Sequence, residues 1–399
     1  MKTINLKYIA NHLPKTDDPY LHLMSKEEVT VARNFHRSFP QYSETPLADL
    51  KNMSAYLGLG EVKVKDESYR FGLNAFKVLG GSYAMGKYIA QQTGRDISEL
   101  PYDVLTSDKL RREFGQATFF SATDGNHGRG VAWAAKRLGQ KAVIRMPKGT
   151  TQRRLDNIRA EGAEVTIEEL NYDDCVRMAA AEAAKTEHGV IVQDTAWEGY
   201  EDIPSWIMQG YGTMASEADE EFGGRPTHIF VQAGVGSLAG AVTGYFVNRY
   251  KENPPIITVV ETSDAACLYK GAVAGDGKVR KVGGDMLSIM AGLNCGEPNT
   301  TSWDILRNHV TCFISAEDSV ARRGMRMLGC PVKGDAQVVS GESGAASFGA
   351  LATIMLQEDF RQLRNQLGLN ENSKVLCFST EGDTDPERYK RIVWEGQDR

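Results

Sequence analysis

The chain has 399 residues, 41% hydrophobic and 25% charged, with a formal net charge of -6. That length buries a large core and favours two lobes over one, and the composition is that of a soluble globular protein. The mild acidity, with no basic stripe interleaved with aromatics, excludes a nucleic-acid footprint and leaves small molecules or further copies of the chain as expected partners.

No apolar run is long enough to span a bilayer. The first ten residues, Met1 to Ala10, carry no apolar core followed by a small-residue cleavage site, so the expected compartment is the cytoplasm. Six cysteines, Cys175, Cys267, Cys295, Cys312, Cys330 and Cys377, form no C-x-x-C pair, which argues against a zinc site or a disulfide framework. Cys267 and Cys295 share one loop-rich segment, but a bridge between them is not expected in a reducing compartment. No metal-ligand constellation is present.

In chain order, residues 1 to 60 read as an extended arm, with a capping box at Ser25 opening a helix. The β-rich Val62-Lys-Val-Lys then leads into Asp66-Glu-Ser-Tyr-Arg-Phe-Gly-Leu-Asn-Ala-Phe-Lys77, and the small-residue run Gly80 to Gly86 starts a packed helix. Lys77 therefore stands at a strand-to-helix junction. An amine flanked there by Phe76, Val78 and Leu79 is poorly solvated, so its pKa is expected to fall and its neutral form to serve as a nucleophile toward carbonyl compounds. A surface lysine beside a helix start is the plain alternative.

A polar, partly helical stretch to about residue 115 is the natural crossing between lobes. Strands then alternate with helices: Ala117–Ala122, a helix Asn126–Leu138, Lys141–Pro147, a helix through Ile158, Glu164–Ile167, a helix through Val176, and Val190–Asp194. After a helix around Trp206 to Glu221 the alternation resumes with Thr227–Ala233 and Ile256–Glu261. Residues 262–300 read as a long loop of the kind that lines a site. Helices near Trp303, over Ser319 to Met327 and after Ala345 follow, and the strand Lys374–Ser379 closes the pattern. Such alternation makes open parallel sheets covered by helices on both faces.

Two turns and two strand ends carry the candidate chemistry. Gly234-Val-Gly-Ser-Leu-Ala-Gly240 follows a strand and opens a helix, as a phosphate cradle does, although its spacing misses the dinucleotide pattern and a ligand-free turn explains it as well. Thr123-Asp-Gly-Asn-His-Gly128 also lies between strand and helix: Asn126 offers an amide to an aromatic oxygen, Asp124 either caps the helix or does chemistry, and His127 either acts in catalysis or braces the turn. Asp124, Asp194, Gly234 and Ser379 all fall at carboxyl ends of strands, where open α/β sheets bind ligands.

The order of these motifs, ending in Ser379-Thr-Glu-Gly-Asp-Thr-Asp385, resembles the pyridoxal-phosphate (PLP) enzymes of fold type II, the two-lobed tryptophan synthase β-like group. The resemblance implies a large PLP-binding domain from residues 1–86 and 226–399, a smaller inserted domain from 87–225, and a homodimer. It implies that Lys77 holds PLP covalently, that Asn126 bonds the ring hydroxyl, and that Gly234, Val235, Gly236, Ser237 and Leu238 bind the phosphate. Ser379, or less favourably Thr380, then faces the pyridine nitrogen.

Arg70 to Lys77, Gln193-Asp-Thr-Ala-Trp-Glu-Gly-Tyr200, Gly284-Asp-Met-x-x-Ile-Met-Ala-Gly292 and Ser340-Gly-Glu-Ser-Gly-Ala345 are more closely similar to the diaminopropionate ammonia-lyase family. That family converts 2,3-diaminopropionate to pyruvate and two ammonia. Lys77 and Asp124, on opposite cofactor faces, are then candidate bases for the L and D enantiomers. Asp124 and Asp194 are candidate partners of the substrate's β-ammonium, with Gly125, Asp285 and Glu342 as further substrate-binding candidates. A serine or threonine dehydratase is the alternative, opposed by Asp124 and by the sequence Ala75-Phe-Lys-Val-Leu-Gly80, which lacks that group's arginine. A non-catalytic amino-acid-binding relative is a further one, opposed by the presence of Lys77 and the glycine loop.

Overall fold

A computed structural model describes residues 4–397. Its strands in chain order are β1 (Leu6–Ala10), β2 (Leu47–Asp49), β3 (Glu61–Asp66), β4 (Thr118–Ala122), β5 (Lys141–Met146), β6 (Glu164–Ile167), β7 (Gly189–Ile191), β8 (His228–Gln232), β9 (Ile256–Thr262), β10 (Cys312–Ala316) and β11 (Lys374–Ser379). They form two sheets. The larger has the order β1-β10-β9-β8-β11-β3-β2 and the smaller β6-β5-β4-β7. Only β1 and β2 run antiparallel to their neighbours, and both close an edge of the large sheet.

The central strands of the large sheet are apolar on both faces because helices cover both. Residues of β8 and β10 are buried throughout, the pattern of a parallel sheet in a sandwich of helices. Helix Asp202–Phe222, buried over most of its length, packs against helices Val78–Thr93 and Ser237–Arg249. Gly80 and Gly210 make the first contact possible: a Cβ on Gly210 would stand 2.4 Å from the Leu79 carbonyl oxygen.

Two readings needed correction. Residues 262–300 contain a helix, Cys267–Ala274, whose N-terminal amides at Leu268 and Tyr269 donate to the Glu261 carboxylate. The strand β10, absent from the sequence reading, pairs in parallel with β9. Among the described residues no helix is long and apolar enough to cross a membrane.

Candidate active site

Lys77 is the residue before helix Val78–Thr93 and ends a strained run. Phe71 and Asn74 adopt φ of 50° and 60°, a region that costs non-glycine residues energy and persists only when the surroundings enforce it. Here they do. Buried Arg70 bonds Glu67 at 2.8 Å and Glu217 at 2.6 Å, and Lys65 reaches Glu217 at 3.2 Å. The Asn74 amide donates to Asp383 at 3.1 Å, and Phe76 N–H to the Thr380 carbonyl at 3.1 Å. The arginine of the 66–77 motif thus fixes the loop that aims Lys77.

The Lys77 Nζ lies 2.5 Å from Asp194 Oδ2. Burial alone lowers the Lys77 pKa, as expected from its neighbours, but the Asp194 charge outweighs it and the ammonium is held above its ordinary range. The expectation of a depressed pKa is corrected by a partner 117 residues away in sequence. Burial works against ionising Asp194 as well, yet Lys77 holds its carboxyl down at about 2. Its second oxygen, Oδ1, is buried without a hydrogen-bond partner.

Asp194 is positioned through its backbone. Its carbonyl accepts from Ser237 Oγ and from Asn299 Nδ2. This ties the end of the small sheet to the glycine loop of the large one. In that loop Gly236 has φ +105°, and a Cβ there would meet Ser302 Oγ at 2.8 Å. Helix Ser237–Arg249 has no side-chain cap, so its first N–H groups remain available to an anion.

One cavity is lined by Lys77, Asn126, Asp194, Gln232, residues 234–238, Gly292, Cys295, Ser343, Thr380 and Glu381. An amine, an amide, an uncapped helix terminus cradled in glycine and a hydroxyl around one space fit a phosphorylated aromatic aldehyde. The hydroxyl is that of Thr380, which accepts from Gln232 Nε2 at 2.7 Å. Ser379, the preferred residue in the sequence reading, turns the other way and donates to Ser340 Oγ at 2.8 Å. Asn126 donates to Glu381, whose other oxygen accepts from Ser343 N–H at 2.9 Å.

Asp124 borders an adjoining cavity with Arg154, Lys148, Tyr172 and Asp285. It abuts the first space across Gly292, where a Cβ would lie 3.9 Å from Asp124 Oδ2. Arg154 Nη1 stands 3.7 Å from Asp124 Oδ2. Gly125 N–H donates to Thr123 Oγ1. His127 braces: its Nε2 contacts the Val192 carbonyl oxygen at 2.9 Å, and burial lowers its pKa. Asp285 is 61% exposed at the mouth and pairs with Lys148 at 2.6 Å, a bridge across the cleft. Glu342 is buried, with Oε1 unpartnered and the Arg388 guanidinium 3.7 Å away. All six cysteines are free thiols.

Sequence reasoning missed Gln232, Glu381 and Arg154. The first ends β8, so the rule that strand ends face the ligand would have found it. Glu381 lies two residues past the end of β11. Arg154 carries no comparable signal, since a first-turn arginine of a polar helix reads as surface.

Residues 39–380 match the family model for pyridoxal-phosphate dependent enzymes. The chain is 52% identical to a diaminopropionate ammonia-lyase of Salmonella typhimurium over 368 residues, 91% of each chain. A crystal structure of the Escherichia coli diaminopropionate ammonia lyase in complex with D-serine superposes with a TM-score of 0.91 at 45% identity, covering 99% of this chain and 98% of that one. The same enzyme in complex with an aminoacrylate-PLP azomethine reaction intermediate gives a TM-score of 0.88.

Proposed function

Because the chain belongs to the pyridoxal-phosphate dependent enzymes and, within them, to the diaminopropionate ammonia-lyase family, we propose the following division of labour among its residues. The reaction is PLP-dependent elimination of ammonia from 2,3-diaminopropionate, leaving pyruvate after a second ammonia is lost. When bound, the cofactor withdraws electrons from the substrate Cα and makes its proton acidic. Lys77 is the attachment point, Asn126 the partner of the ring hydroxyl, residues 234–238 the phosphate cradle and Thr380 the hydroxyl toward the ring nitrogen.

Asp194 changes partners. While it pairs with Lys77 the amine stays protonated; the β-ammonium of a bound substrate competes for the same carboxylate, whose free Oδ1 is placed to accept it. Relieved of that charge, Lys77, freed from the cofactor when the substrate's α-amine takes its place, would give its proton to solvent and serve as the base for Cα of the L enantiomer. Asp124 is the base for the D enantiomer, with the Arg154 guanidinium 3.7 Å from its carboxylate. Gly125, Asp285 and Glu342 shape the approach, Asp285 from the mouth. A hydroxyl amino acid has no second cation to draw Asp194 away, so serine should react more slowly.

The single observation behind this reading is the Lys77–Asp194 pair beside an uncapped, glycine-lined helix terminus. The organisation that accompanies it is a large domain of residues 1–86 and 226–399, an inserted domain of 87–225, a homodimer and a cytoplasmic location. The test is pyruvate release from D- and L-2,3-diaminopropionate, with L-serine and L-threonine as comparisons. Faster turnover of either hydroxy amino acid would move the assignment to a dehydratase.

A further inference from the structure

A cavity of about 700 Å³ opens between helix Asp318–Gly329 and helix Lys51–Leu57, and it shares no lining residue with the spaces around Lys77 and Asp124. Arg322 lines it. This arginine is only 7% exposed, its Nε is buried without an acceptor, and the nearest carboxylate oxygen, Asp318 Oδ2, is 3.8 Å away. Asp318 is committed elsewhere: it accepts from Ser288 Oγ at 2.5 Å and from Ile289 N–H at 3.2 Å.

Arg323 lines the same space. Its contacts are long and neutral, to Thr353 Oγ1 at 3.3 Å and Gln357 Oε1 at 3.5 Å, and burial with no carboxylate beside it lowers its pKa. Ser319 Oγ, also buried without a partner, faces the cavity. The charged groups around it are Arg322, Arg323, Glu317, Asp318 and Arg326, the last engaged by the Ile392 and Gln397 carbonyls. A buried guanidinium N–H left without an acceptor, as at Arg322 Nε, is costly, and a negative group from outside the chain would supply the missing acceptor. The remaining wall is apolar: Met53, Met327, Leu356 and the half-exposed ring of Tyr56.

We propose that this cavity is a second ligand site, for an organic anion whose carboxylate or phosphate head is held by Arg322 and Arg323 and whose apolar or aromatic body lies along Met53, Tyr56 and Met327. Arg's planar fork matches both heads, so the head is left to experiment.

The test is calorimetric titration of the cofactor-loaded enzyme with phenyl phosphate, phenylacetate, phenol and inorganic phosphate. At least one of the two aromatic anions should bind saturably, more tightly than phenol and inorganic phosphate, and the tighter of the two identifies the head. Arg322→Met and, separately, Arg323→Met should weaken that binding at least tenfold while leaving the absorbance of the bound cofactor unchanged; Arg323→Met, nearer the surface, serves if Arg322→Met does not fold. Absence of saturable binding by both anions, binding equal in wild type and both variants, or phenol binding as tightly as the anions would each overturn the proposal.

Discussion

Lys77 and Asp194, contributed by the two sides of the cleft, meet at 2.5 Å, and the pair holds the ammonium charged in a largely buried position. A lysine so paired is a poor nucleophile until its counter-charge is removed or occupied. Asp194→Asn should therefore lower the Lys77 pKa, since burial then acts unopposed. The check is the pH dependence of Lys77 modification by an aldehyde plus reductant in cofactor-free protein, read by mass spectrometry: the midpoint should fall in the variant. An unchanged or higher midpoint would remove the partner-switching step.

Asp124 borders the cavity that adjoins the Lys77 space across Gly292, and on the proposed reading it is the base for the D enantiomer alone. Asp124→Asn should reduce turnover of D-2,3-diaminopropionate by about 10²- to 10⁴-fold, the usual worth of a positioned base, while L-2,3-diaminopropionate changes by only a few-fold. Equal loss on both substrates would mean that Asp124 binds rather than deprotonates.

Gly236 combines φ +105° with a would-be Cβ 2.8 Å from Ser302 Oγ. Gly236→Ala should cost about 1–2 kcal/mol of stability from backbone strain alone. It should also weaken cofactor binding by at least tenfold, because the loop must shift away from the helix terminus it shapes. Equilibrium titration of the cofactor-free variant, alongside its thermal melt, separates the two effects.

Arg70 bridges Glu67 and Glu217 with nearly complete burial. Removing one member of such a group strands the others, at roughly 3–5 kcal/mol. Arg70→Met should therefore lower the denaturation midpoint sharply and loosen the Lys77 loop before the sheets unfold. Hydrogen exchange at residues 71–77 reads that loosening directly; protection equal to wild type there would show that Arg70 does not hold the loop.

These variants mark where sequence alone was informative. The strand-helix alternation, the glycine loop and the turn at Asp124 were legible because each is a local pattern with a period or a breaker in it. The orientation of Ser379 and Thr380 was not: adjacent residues at a strand end face opposite ways, and which one lines the cavity beside Lys77 depends on register with β3 and β8. The direction of the Lys77 shift was hidden for a different reason. Burial was readable from Phe76 and Leu79, but the opposing charge comes from Asp194 on another sheet. Helix Cys267–Ala274 was obscured by the glycines and aspartates around it, although its first amides donate to Glu261 at the end of the preceding strand.

Glu342 supplies a prediction for pH. Burial, opposed by Arg154, raises its pKa from the ordinary 4.5 to about 7. Between those values the folded protein binds a proton that the unfolded chain releases, so this group's contribution to stability is complete below pH 4.5 and is lost as pH rises through 7. The slope is at most about 1.4 kcal/mol per pH unit. Glu342→Gln keeps the neutral side chain at every pH. Its melting temperature should match wild type near pH 5 and exceed it at pH 8, measured on cofactor-loaded protein at equal ionic strength. A smaller decline should persist in the variant, because Glu261, also buried, is pushed up to about 8 and loses its proton in the same direction. If wild type and Glu342→Gln instead run parallel from pH 5 to 8, the carboxyl is ionised throughout, and Arg388 must close on it more tightly than 3.7 Å.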